Sequence, residues 1–219
     1  MPQKIIKEFE VYNYNELGDS AKQTARSLVY DAIVAGRCET LMGDLVEYCE
    51  EKYGLHLDEN SIFYNFSNSQ GDGVCFTYDN LVDYVNLTET SNLDLDELNI
   101  FERVLVEQSA TLNLDLLLEY LKDGFNTVSI FRNSARYTHA NTCTIDFTLY
   151  YNEDGDKEEE INNYMRNLCD NVIRKIYNEV CKDLEDYGYQ LLEIPEEDIE
   201  TYIDDFDLKF LEDGRIFSE

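Results

Sequence analysis

Carboxylates outnumber cationic side chains by thirty on a chain of 219 residues, and that surplus limits every fold open to it. Forty-seven Asp and Glu face 17 Lys and Arg, giving a formal net charge of −30 at pH 7. A disordered acidic tail would lack large apolar residues, yet 43% of this chain is hydrophobic and 13% aromatic. The chain must therefore bury a core and carry its charge on a built surface. Self-repulsion at that charge works against compaction, and solubility of a small domain needs a net charge of only about 2–8 in magnitude. Duplex DNA carries one charge per roughly 1.7 Å of axis, so thirty charges match about 15 base pairs. Such a field repels nucleic acid and attracts the basic surfaces that bind it.

Two prolines and no Gly/Ser-rich linker interrupt the chain, so a single compact domain over residues 1–219 is expected. No run of 18 apolar residues exists, and the opening MPQKIIKEFEVYNY has no signal-peptide core, which predicts a cytoplasmic protein with no membrane partner. The six cysteines form no CxxC pair, so they are expected as reduced, small buried hydrophobes.

Periodicity sketches the elements. Ile5, Phe9, Val11 and Tyr14 suggest a first strand; Ala21, Ala25, Leu28 and Ala32 a helix ending at Gly36; Leu41, Leu45, Tyr48 and Cys49 a second helix capped by Gly54. Ile62, Tyr64 and Phe66, then Val74, Phe76 and Tyr78, flank Gly71-Asp72-Gly73, the signature of a tight hairpin. A Leu-rich stretch over residues 93–121 reads as helical. Strands follow over 127–138 and 142–151, then a long helix over 158–187 whose core stripe is Ile161, Met165, Leu168, Val172, Ile176, Val180 and Leu184. Pro195 opens a short acidic helix, and a last strand lies over 208–211. The expected class is α+β: an antiparallel sheet packed with two early helices, a helical middle and one long C-terminal helix.

The charge is uneven. Residues 147–219 hold 22 of the 47 acids but only 7 of the 17 bases, making this stretch the candidate acidic face. Its partner-binding candidates are Glu153, Asp154, Asp156, Glu158, Glu159, Glu160, Asp183, Glu185 and Asp186. Tyrosines lie among them, and Tyr is enriched at interface hot spots. A partner's Arg would pair with the carboxylates and stack on the rings.

Catalytic signals are sparse. His56 and His139 are the two histidines, and no HExxH, Cys/His zinc spacing, GK[ST] loop or GxSxG is present, so no metal and no cofactor is expected. His139 stands between two strands, where a hairpin would bring it toward Asp146 or Asp72 as a general base.

Four segments carry a resemblance: Tyr14-Asn15-Glu16-Leu17 before Ala21-Lys22; Phe66-Ser67-Asn68-Ser69-Gln70-Gly71-Asp72-Gly73-Val74-Cys75-Phe76; Tyr137, His139 and Ile145-Asp146; and Phe210 to Phe217. In these the chain resembles a widespread family of small bacterial and phage proteins loosely labelled antitoxins or hypothetical phage proteins. The resemblance implies a shared fold and a local polar cluster of Gln70, Asp72, Tyr137, His139 and Asp146. The leading expectation is a nucleic-acid-mimicking inhibitor whose partner is a basic nucleic-acid-binding protein, with no direct contact to nucleic acid. Alternatives are an antitoxin against a basic toxin and an enzyme using His139, Asp72 and Asp146.

Overall fold

Ala21, Ala25 and Val29, then Leu41, Leu45 and Cys49, recur at spacings of four and are all buried, which draws residues 19–53 into one helix. This is α1 (Asp19–Tyr53), continuous through Gly36 in the computed structural model, which describes residues 8–67, 70–81, 98–108, 127–148, 163 and 166–218. The expected break at Gly36 does not occur. A mid-helix glycine costs only about 1 kcal/mol, and burial on either side outweighs it. Gly54 does end the helix: at φ 65° it lets the amides of Gly54 and Leu55 close on the carbonyls of Glu50 and Cys49.

The class is α+β, with two small antiparallel sheets. Strands β1 (Ile62–Asn65) and β2 (Gly73–Phe76) pair in the register Ile62↔Phe76 to Asn65↔Gly73. The connection therefore runs from Phe66 to Asp72 and is not a two-residue turn; Gly73 already belongs to β2. Strands β3 (Thr127–Arg132) and β4 (Cys143–Thr148) pair from Thr127↔Thr148 to Arg132↔Cys143. β3 is shorter than its sequence pattern, because residues 133–142 form the connection, with a 3₁₀ turn at Ala140–Thr142; residues 149–151 of the expected next strand lie outside the described residues. Tyr78 bridges Ile130 in both directions, linking β2's strand to β3.

Within the Leu-rich middle, α2 covers Ile100–Gln108. The Asn99 side chain accepts from the amides of Phe101 and Glu102, and Glu102 returns the bond to the Asn99 amide, a reciprocal cap. The N-terminal part of the late helix lies outside the described residues. From Arg166 and Asn167, which are helical, it passes through a π-helical segment, Leu168–Ile173, into α3 (Arg174–Leu192). One extra residue in the π turn moves the core stripe by one position. Ile173 is fully buried whereas Val172, expected on the stripe, is only partly buried; Ile176, Val180 and Leu184 then resume it.

The chain's contacts gather into two compact units, Met1–Leu41 with Gln190–Glu219, and Met42–Tyr189. In the first, Tyr14, Leu17, Ala21, Ala25 and Val29 pack with Ile194, Ile199, Ile203 and Phe210. The last three flank or belong to α4 (Glu196–Asp205), the acidic helix expected after Pro195. Arg26 binds Glu196 and Glu200 of α4, while Arg37 donates to the carbonyls of Leu191 and Glu193 at the end of α3. Among the described residues the expected first and last strands reduce to single bridges, Tyr12↔Phe210 and Phe210↔Ile216; Ile5 lies outside them. In the second unit the Tyr177 hydroxyl donates to the Phe76 carbonyl at 2.9 Å and accepts from its amide at 3.1 Å. It thus fills the position next to Tyr78 on that edge of β2.

Candidate functional site

Of the nine acids expected on the acidic face, Glu153, Asp154, Asp156, Glu158, Glu159 and Glu160 lie outside the described residues. The other three sit on α3, and each has cationic or hydroxyl company. Asp183 is a hub. Its Oδ2 accepts from Lys52, from Tyr48 at 2.7 Å and from Tyr53 at 2.7 Å. Burial opposes its charge, but the bonds from Lys52, Tyr53 and Tyr48 outweigh that and hold its carboxyl below the usual range. Asp186 pairs with Lys182 at 2.6 Å, and Glu185 lies 3.8 Å from the same ammonium. Asp183 therefore ties α3 to the end of α1 and does not stand as a bare phosphate substitute.

Among the described residues a second set of acids gathers on α1 of this unit, Asp44 half-buried and Glu47 and Glu51 exposed. Asp44, Glu47 and Glu51 follow one another at helical spacings of three and four on α1, with Tyr48 among them. The Tyr48 ring stacks on Tyr187 of α3, centroids 4.0 Å apart and planes 11° from parallel. Burial raises the Tyr187 phenol, and the charges of Asp44, Glu47 and Glu51 add to the rise. Three carboxylates thus share one neighbourhood around a stacked tyrosine pair. Scoring acids by unbroken runs missed this set; sorting them by helical face would have found it.

The five residues of the expected polar cluster are only partly brought together. Tyr137 lies against Gly71, where an added Cβ would meet the ring at 2.5 Å. His139 lies against Gly73, its Cβ 3.3 Å from the place a Gly73 Cβ would take, with Glu185 Oε2 3.6 Å from the same point. The Tyr137 and His139 rings are 6.1 Å apart. Asp72 accepts from Ser67 Oγ at 3.0 Å. Gln70 is exposed in the β1–β2 connection. Asp146 stands apart on the exposed face of β4, accepting from the Phe147 amide. The glycines of the motif are explained by close packing: Tyr137, Thr138 and His139 need bare backbone beneath them, and Thr138 bonds the Gly71 carbonyl through both N–H and Oγ1. His139 Nδ1 is buried with no hydrogen-bond partner among the described residues. Among those residues no group of three or more His, Cys, Asp or Glu is placed to hold a metal ion. None of their helices is long and apolar enough to cross a membrane.

In comparison with known proteins, the family described as Domain of unknown function (DUF8835) matches residues 38–193. No curated protein and no solved structure matches. The matched span nearly coincides with the second unit, Met42–Tyr189, and contains the Asp44–Tyr48–Tyr187 face.

Proposed function

Because the chain belongs to this domain family of unknown function, its role has to come from its own surface, and we propose that it is an anionic decoy. It occupies the nucleic-acid groove of a basic host defence protein in the cytoplasm, as an inhibitor of the anti-CRISPR or anti-restriction kind. The observation that carries this reading is the charge of −30 on a folded chain, with Asp44, Glu47 and Glu51 gathered about the Tyr48–Tyr187 stack. Carboxylates on a rigid helix substitute for phosphates, pair with Lys and Arg of the groove and accelerate encounter at low salt. The tyrosines supply flat surface for a partner's Arg once the charges have aligned it.

The test is capture of host proteins on the immobilised chain, washed at rising salt, with and without a competing 15-base-pair duplex. The expected result is a nucleic-acid-binding protein that elutes with salt, is displaced by the duplex and is lost with Asp44→Lys/Glu47→Lys/Glu51→Lys. A partner that resists both salt and those reversals would overturn the reading. Capture of a basic toxin would redirect it to an antitoxin acting through the same face.

A further inference from the structure

Five of the cysteines are buried, and Cys38 alone is exposed, among the described residues where all six lie. Three of the buried thiols belong to one neighbourhood: Cys75 on β2, Cys143 at the head of β4 and Cys181 on α3. The Cys75 and Cys143 side chains lie close enough to act on each other's charge. Around them Thr142 Oγ1 lies 3.9 Å from Cys75 Sγ, and Cys143 Sγ lies 3.9 Å from the Phe76 carbonyl. The Tyr177 hydroxyl, bonded to Phe76, lies near both Cys181 and Cys143. Arg174, the first residue after the π-helical segment, clamps the Cys143 carbonyl at 2.9 Å and so fixes that end of the pair. Two neighbouring thiols from separate hairpins are one oxidation away from a covalent bond.

We propose that Cys75 and Cys143 form a reversible disulfide when the protein meets a peroxide, stapling β2 to the head of β4. The roles divide by environment. The neighbouring Cys75 thiol favours a Cys143 thiolate; burial opposes it, while the Tyr177 and Thr142 hydroxyls and the Arg132 charge add support. Cys75 keeps its proton, because the neighbouring Cys143 and its own burial both disfavour the charge. Cys143 thiolate attacks hydrogen peroxide, the O–O bond breaks, and sulfenic acid and hydroxide result. Cys75 sulfur then attacks the sulfenic sulfur, the S–OH bond breaks, and the Cys75 proton leaves with that hydroxide as water. Peroxide is the oxidant, gaining two electrons; a small thiol such as glutathione returns them. Both sulfurs being nearly inaccessible (0% and 4% exposed), the reaction proceeds through local opening of the hairpins.

The test uses the full chain carrying Cys38→Ser, so that the exposed thiol cannot compete. After hydrogen peroxide, thiol blocking and digestion, a Cys75–Cys143 linked peptide is expected. The intact protein should lose two hydrogens in mass and two titratable thiols, and dithiothreitol should restore both. A higher Tm for the oxidised form is expected, reverting on reduction. In Cys75→Ser, checked for folding by circular dichroism, Cys143 should halt as a dimedone-trapped sulfenic acid. Links through Cys181 or Cys49, sulfinic acid on Cys143 without a link, or five unreacted thiols in folded protein would each overturn the proposal. The mapping in Cys38→Ser protein decides the matter even if Cys75→Ser fails to fold.

Discussion

Three donors on one oxygen of Asp183 make it the residue whose loss is easiest to foresee. In Asp183→Asn the three donors, Tyr48, Tyr53 and Lys52, would exchange a charged acceptor for a neutral amide oxygen, which has too few lone pairs for all three. Its side chain is 34% exposed, so solvent screens the site and the expected cost is about 1 kcal/mol, well under that of a fully buried network. The carboxyl is held below its ordinary value, so this contribution is present above the unfolded value of about 4 and disappears as pH falls through the lower folded value. Urea midpoints of the two proteins should therefore differ above about pH 5 and converge in acid. Gly214 offers a sharper case. At φ 88° a Cβ there would fall on the Ala21 carbonyl, a backbone atom with no freedom to move aside. Gly214→Ala should cost roughly 2 kcal/mol or more in a urea titration; a neutral outcome would contradict the turn as described.

Helix continuity and helix register are decided one scale up. If α1 runs unbroken past Gly36, alanine there should stabilise the protein by about 0.5–1 kcal/mol, since open space surrounds the missing Cβ. A helix that ended at Gly36 would instead be destabilised by the change. The π-helical segment makes a second, independent comparison. Ile173→Ala should cost about 2–5 kcal/mol and Val172→Ala well under half of that, because the extra residue turns Ile173 inward and leaves Val172 only partly buried. Equal losses at both sites would mean a regular helix with the stripe left unshifted. The π turn also sets Arg174 against the Ala140 and Cys143 carbonyls, so the register of one helix fixes the head of β4.

For the whole molecule, charge is the dominant variable. Repulsion among the surplus carboxylates is relieved when salt shortens the Debye length from about 30 Å at 0.01 M to about 8 Å at 0.15 M. Melting temperature should thus rise with sodium chloride over that range, measured by scanning calorimetry. A fall would mean that ion pairs such as Arg26 with Glu196 and Glu200 outweigh the net field. The same screening should weaken the proposed capture of a basic partner, so under that proposal stability and binding respond to salt in opposite directions. The family match stops near the edges of the second unit, while the two flanks, residues 1–41 and 190–219, build the first unit around their own core.

The α+β class, the cap at Gly54, the strands around Ile62 and Cys143, the helix after Pro195 and the burial of five cysteines were all legible in residue order, because each depends on local periodicity or a single backbone conformation. Four features were not. Gly36 reads as a stop until burial on both sides carries the helix through it, and Gly71-Asp72-Gly73 reads as a turn until Tyr137 and His139 are found packed on it. Asp183 reads as surface charge until Tyr48, Lys52 and Tyr53 arrive from another helix. The nearness of Cys75 to Cys143 joins residues far apart in sequence. Composition settles how much charge the fold must carry outside; only packing between distant segments decides which carboxylates are spent on internal bonds and which stay on the surface.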